Sequence, residues 1–101
     1  MPRYLLSKEA EQDLRELIRY TKNEWGDTQV RKYRELLTTK FESIAQKRVP
    51  DRLFSKAVED LFFVKAGSHY IFYIRPKAQA PIIIAILHPR TEVLKNISKR
   101  L

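Results

Sequence analysis

The spacing of apolar positions changes period along the chain, and each change marks an element. Ala10, Leu14, Leu17, Ile18, Thr21 and Trp25 recur at helical spacing, while Glu11, Arg15, Arg19 and Lys22 take the opposite face. Ser7 stands where an N-cap belongs, and Glu9 and Glu11 follow in the first turn, where the helix dipole favours acids. Gly26 fits the left-handed C′ position that ends such a helix, and Asp27 is placed to cap the next. A second stripe runs through Val30, Tyr33, Leu37, Phe41 and Ile44 and stops before Pro50. Two helices of about 18 to 20 residues with so tight a join must run antiparallel.

Beyond Pro50 the period shortens to two. Residues 48–60 read as a loop, with Pro50, Asp51, Ser55 and the acidic pair Glu59-Asp60. Leu61 to Lys65 is a strand, and Lys65-Ala66-Gly67-Ser68 is a turn in which Gly67 supplies a positive φ. The next strand alternates Tyr70, Phe72 and Ile74 against His69, Ile71, Tyr73 and Arg75. Ile82 to Leu87 is apolar throughout and closed by Pro81 and Pro89, so it predicts a central strand covered on both faces. Arg3 to Leu6 is a short strand that needs a sheet edge. Thr91 is placed to cap a C-terminal helical tail with Val93, Leu94, Ile97 and Leu101 on one side. Trp25 is expected to seat the helical hairpin on the sheet. The fold class is α+β: one domain over residues 1–101, a helical hairpin on a small antiparallel sheet, ordered β-α-α-β-β-β with a short C-terminal helix.

Composition narrows the chemistry. The 101 residues are 44% hydrophobic with two glycines, as in a globular domain. There is no cysteine, which excludes disulfides and thiolate metal sites, and two histidines leave any metal site short of ligands. No metal and no cofactor is expected. The N-terminus lacks the apolar core of a signal peptide and no run approaches a membrane span, so a cytoplasmic protein without membrane contact is expected. The net charge is +8, and residues 48–101 hold ten basic side chains against four acidic. That excess points to an acidic partner, nucleic acid or protein, or to a solvated basic surface.

Few residues carry candidate chemistry. His88 with Arg90 at the end of the central strand is the most enzyme-like pair: an imidazole near neutrality beside a phosphate-binding cation. The alternative is a strand-end histidine that hydrogen-bonds a loop carbonyl while Arg90 caps or salt-bridges locally. His69, beside the turn, reads as structural. Tyr70, Phe72 and Tyr73 fit either base stacking on an open sheet or an ordinary core. Glu59 and Asp60 face opposite ways along a strand and do not form a dyad.

The element order, with Glu24-Trp25-Gly26 between the helices, Gly67-Ser68-His69-Tyr70-Ile71-Phe72-Tyr73 in the middle and Ile86-Leu87-His88-Pro89-Arg90 near the end, resembles the ParE branch of the RelE/ParE toxin superfamily. The resemblance implies a bacterial toxin of a type II toxin–antitoxin system, associated with plasmid stabilisation. It implies neutralisation by a ParD-type antitoxin, contact with operator DNA only through that antitoxin, and DNA gyrase as the target. The RelE branch instead cuts messenger RNA on the ribosome. RNA-cutting relatives often place an arginine where this chain has Tyr70 and a tyrosine where it has Leu94, and neither residue here can do the work of the group it replaces. The resemblance thus implies gyrase inhibition by binding rather than an enzyme, with ribosome-dependent endoribonuclease action through His88 and Arg90 as the alternative. A non-toxic basic nucleic-acid binding module is the third reading. Arg90, Lys95, Lys99 and Arg100 are the expected target contacts, and the exposed sides of Tyr33, Leu37 and Phe41 the expected antitoxin contacts.

Overall fold

The computed structural model describes residues 3–56 and 58–101. Met1 and Pro2, the start of the expected leaderless N-terminus, and Ala57, inside the expected loop, lie outside the described residues. Helix α1 spans Lys8–Trp25 and α2 spans Asp27–Ala45. Ser7 Oγ accepts the Ala10 amide at 3.1 Å, as an N-cap should. Gly26 alone separates the helices. Its φ of 87° and ψ of −179° lie outside the expected left-handed well, in a region open essentially only to glycine. Its amide still closes α1 on the Lys22 carbonyl at 3.0 Å. Asp27 is the first residue of α2 rather than its cap, and no side chain caps that end.

The helical hairpin covers one face of a five-stranded sheet. The strands are β1 (Leu5–Leu6), β2 (Arg52–Ser55), β3 (Val58–Ala66), β4 (His69–Ile74) and β5 (Ile82–Leu87), in the order β1-β5-β4-β3-β2. The sheet is mixed, not antiparallel throughout, because β1 lies parallel to β5. The hairpin crossover frees β1 from the antiparallel pairing that a short turn imposes. Most of the expected loop over 48–60 is strand. Sequence alternation is hidden there by a register shift between Leu53 and Ser55 and by the positive φ of Asp60, 58°.

Helix α3 (Val93–Arg100) lies on the opposite face of the sheet. Its N-cap is Glu92, not Thr91, and of its expected apolar side only Ile97 is fully buried; Leu94 and Leu101 are exposed. Ile71, Tyr73, Ile83 and Ile86 face the hairpin with Leu37, Phe41 and Ile44. Phe72, Ile84, Ala85 and Leu87 face α3 with Phe54, Phe63 and Tyr70. Within β5 the register opposite Phe72 and Tyr73 skips from Ala85 to Ile83. The extra residue, Ile84, turns two successive side chains to the same face, so the run of six apolar residues is buried without strict alternation. Central placement of β5 is as the sequence predicts.

Strand β1 is two residues long and covers the outer edge of β5 only to Ile83, whose carbonyl accepts the Ser7 amide at 2.9 Å. Backbone groups further along that edge need other partners. Asp13 of α1 provides one: its Oδ2 accepts the Ile86 amide at 2.9 Å and Arg100 Nη1 at 2.7 Å, and its Oδ1 accepts Arg100 Nη2 at 3.0 Å. Arg100 Nη1 also donates to the Ile84 carbonyl at 3.0 Å. The side chains are 13% and 11% exposed, so the pair is shielded and bidentate. Hydrogen bonding to Asp13 holds the Arg100 guanidinium above its ordinary pKa. Arg100 is therefore an internal clasp between α3, β5 and α1, not the outward-facing target contact expected of it.

Removing one half of this clasp strands the other. Asp13→Ala leaves the Arg100 charge and the Ile86 amide without their partner and should cost about 3 kcal/mol in urea unfolding. Replacing both, Asp13→Leu with Arg100→Met, should recover more than half of that loss. Equal loss in the single and double variants would show that the clasp adds nothing as a pair.

Candidate functional site

Beyond the clasp the edge of β5 opens into a groove of about 960 Å³ between the C-terminal half of α1 and α3. Leu17, Tyr20, Thr21 and Trp25 form the α1 wall, Asn96 and Arg100 the α3 wall, and His69, Ile86 and His88 the floor. Tyr33 and Arg90 also line the groove. Trp25 is 70% exposed and Tyr20 61%. Trp25 thus does not seat the hairpin on the sheet as expected. It is the last residue of α1 and lies at the helical turn, where it faces the groove rather than the core.

The floor is ordered around the Tyr33 hydroxyl. It lies 2.6 Å from His69 Nδ1 and 3.2 Å from the Ala66 carbonyl, and it accepts the Ser68 amide at 3.2 Å. The single Tyr33 proton can serve the Ala66 carbonyl or His69 Nδ1, and which of the two it serves fixes the His69 tautomer. The close approach needs Gly67: at φ 60° a Cβ there would meet the Tyr33 hydroxyl and Leu36 Cδ2 at 3.0 Å each. The His69 and His88 rings meet edge to face, centroids 5.4 Å apart. Burial, and then proximity to His88, lower the pKa of His69, so it is neutral at pH 7. His88 Nδ1 accepts the Arg90 amide at 3.1 Å, and the Thr91 amide bonds the His88 carbonyl at 2.9 Å. His88 thus sits at a strand end and bonds the following turn, but its ring accepts a backbone amide rather than bonding a loop carbonyl, and among the described residues Arg90 forms no salt bridge.

The other expected site residues scatter. Leu37 and Phe41, expected as antitoxin contacts, are core residues with 1% and 3% exposure. A single apolar stripe on α2 has to serve the sheet beneath it, and it leaves no second face for a partner. Tyr33 alone of that set reaches the groove. Arg90 is exposed and has no carboxylate partner among the described residues. Lys95 lies 3.7 Å from Glu92 on the surface, and Lys99 is exposed. Tyr70 packs on the α3 side of the sheet, away from the groove, and Leu94 is 54% exposed. Sequence reasoning missed the groove itself, because its walls come from residues that pair only after folding. It also missed a second, partly buried network, in which Tyr73 and Arg75 both bond Asp51 at 2.7 Å while Arg75 Nη2 donates to the Ile44 carbonyl at 2.9 Å. The Arg75 guanidinium holds the Asp51 carboxyl below the ordinary carboxylate range. This network ties the end of α2 to the sheet. Among the described residues, no group of three His, Asp or Glu is placed to hold a metal, and no helix is long and apolar enough to cross a membrane.

The histidine floor gives stability a pH dependence with a definite sign. A folded-state pKa below the usual 6.5 means that the unfolded chain takes up the proton first. The contribution is complete above pH 6.5 and falls as the pH drops from there toward the folded value. Urea midpoints measured from pH 7.5 down to about 5.5 should therefore decrease, and the decrease should be visibly shallower in His69→Gln. Identical slopes in the two proteins would show that His69 does not titrate as its burial requires.

Comparison with known proteins agrees with this architecture. Residues 4–93 match the family described as ParE toxin of type II toxin-antitoxin system, parDE. The chain is 35% identical over 101 residues to Toxin ParE of Escherichia coli, covering all of this chain and 98% of that protein. A solved structure, the chromosomal ParDE TA system from P. aeruginosa, superposes with a TM-score of 0.70 over 84% of this chain and 92% of that one. At 15% identity it bears on the fold alone. By sequence match over nearly its whole length, this chain belongs to the ParE toxin family of type II toxin–antitoxin systems.

Proposed function

We propose that this ParE-family toxin acts in the cytoplasm by binding DNA gyrase and inhibiting it, and that a ParD-type antitoxin neutralises it. Operator DNA is reached only through the antitoxin. Whole-length similarity to Toxin ParE supports the target, and the match to the family of ParE toxins of parDE systems supports the type of antitoxin. The observation that carries the binding mode is how the groove's polar groups are engaged. RNA scission by 2′-hydroxyl attack needs a base, an acid and a cation for the developing phosphorane charge. Here Arg100 is bound to Asp13 through both terminal nitrogens, and His88 Nδ1 is held by the Arg90 amide. Tyr70 points to the other side of the sheet, and Leu94 has no proton to exchange.

One observation favours the endoribonuclease reading. His69, His88, Tyr33 and Arg90 share one groove, and neutral His69 has the pKa direction of a base. In a supercoiling assay the purified toxin should inhibit gyrase, and primer extension on messenger RNA from expressing cells should show no new codon-dependent ends. New ends that vanish in His88→Ala or Arg90→Ala would establish the enzyme instead.

With Arg100 committed to Asp13, the target surface reduces to Arg90, Lys95 and Lys99. Lys95 and Lys99 are exposed on α3, and the Lys95–Glu92 contact is too open to matter much for stability. The double variant Lys95→Glu, Lys99→Glu should stay folded within about 1 kcal/mol, bind antitoxin and lose inhibition of supercoiling. Full inhibition by that variant would place the toxic contact elsewhere.

A further inference from the structure

The turn that leads from the sheet towards α3 is held by the ring of the residue that opens it. His88, Pro89, Arg90 and Thr91 form this turn, closed by the Thr91 amide on the His88 carbonyl at 2.9 Å. Pro89 takes the second position, which its fixed φ suits, and Arg90 the third. The first position of such a turn ordinarily goes to Asp, Asn or Ser, whose side-chain oxygen accepts the amide two residues on. Here His88 Nδ1 accepts that amide, from Arg90, at 3.1 Å. Among the described residues no strand flanks His88 on its outer side. Its amide, two on from the Ile86 amide that Asp13 accepts, faces the groove, and β1 stops at the register of Ile83.

An imidazole in place of the usual oxygen changes what a proton does. An amide can only donate, so His88 Nδ1 carries a lone pair and the ring hydrogen sits on Nε2. A second proton goes to Nδ1, and two donors then face each other. Asparagine in the same place would accept the amide at every pH. The ring's surroundings are mixed in charge. His69 of β4 meets it edge to face at 5.4 Å, and burial, followed by the charge of His88, lowers the pKa of His69. Asp13, Glu16 and Tyr20 line the groove from α1, Tyr33 from α2, Arg100 from α3 and Arg90 from the turn. Asp13 is bound by Arg100 through both oxygens, and Glu92, beyond the turn, lies against Lys95. Glu16 is the carboxylate left among the groove residues to favour an imidazolium, and it is exposed to water.

We propose that His88 is a proton-operated latch on this turn: the neutral ring fixes Pro89-Arg90 and the approach to α3, and the protonated ring releases the Arg90 amide. Arg90 then loses its fixed position, and the toxin should engage its target more weakly as the pH falls. That consequence rests on the reading of Arg90, Lys95 and Lys99 as the surface that meets gyrase; the latch itself does not.

The test uses the full chain labelled with ¹⁵N and titrated from about pH 7.5 to about pH 5.5, across the range where imidazoles change charge. The Arg90 amide proton should move upfield with the same midpoint as the His88 ring signals, and its protection factor should fall by at least about threefold. In His88→Asn the amide should stay bonded over the whole range, and in His69→Gln the transition should remain. Circular dichroism at each pH checks that the proteins are folded. An Arg90 amide that ignores the His88 titration, or that moves alike in wild type and His88→Asn, overturns the latch. Supercoiling assays at about pH 8.0 and about pH 6.5, each normalised to gyrase alone, test the consequence. The half-inhibiting concentration should rise at least about threefold between the two for wild type and change by less than about 1.5-fold for His88→Asn. Equal ratios in the two proteins would overturn the effect on the target while gyrase remains the target. If wild-type toxin inhibits gyrase at neither pH, the target reading fails and the consequence with it, and the Arg90 titration still decides the latch.

Discussion

The outer edge of β5 sets the terms for the rest of the molecule. A central strand with a neighbour only two residues long must find other partners for its amides and carbonyls, or leave them to water. Over the first half, β1 and Ser7 provide them; at Ile84 and Ile86, Asp13 and Arg100 do. The same two side chains join α1, β5 and the C-terminal helix. Otherwise α3 is held mainly by Ile97 and the neighbouring apolar residues of the sheet. Where the clasp ends, the edge opens, and the groove begins at that point. A device that completes the fold also decides where the fold stays incomplete, and incomplete edges are where partners bind.

Electrostatics in the groove follow from the same commitment. A chain of net charge +8 would be expected to present cations in a groove of this size. Instead one of the two arginines there is neutralised by Asp13, burial holds His69 neutral at pH 7, and the uncommitted lysines lie on the outer side of α3. Basic surface and concave surface are thereby separated.

Much of the fold was legible because local signals agreed with the global arrangement. Ser7 and the stripe on α1 gave the first helix, Gly26 the tight hairpin, and the apolar run of Ile82 to Leu87 the central strand. The failures have physical causes. Arg100 reads in sequence as an outward cation of the C-terminal helix and so as a target contact, since its partner Asp13 is 87 residues away. Leu37 and Phe41 lie on the one apolar stripe of α2, and sequence spacing does not show that the sheet covers it fully. Trp25 was assumed to be core because of its size, yet a residue at the last position of a helix need not lie over the sheet. Strand β2 and the start of β3 escaped notice because a bulge and the positive φ of Asp60 break the alternation. The groove was invisible for a different reason: its exposed backbone edge has no side-chain signature at all.

Amide hydrogen exchange along β5 in the free protein tests the half-closed edge most directly. The Ile86 amide, bonded to the Asp13 carboxylate at 2.9 Å, should exchange slowly, close to the amides paired with β4. The His88 amide, facing the groove, should exchange at least about a hundredfold faster than Ile86. If both are equally protected, the edge is closed throughout and offers no partner a strand to pair with; if both are equally fast, the Asp13 clasp does not hold the edge.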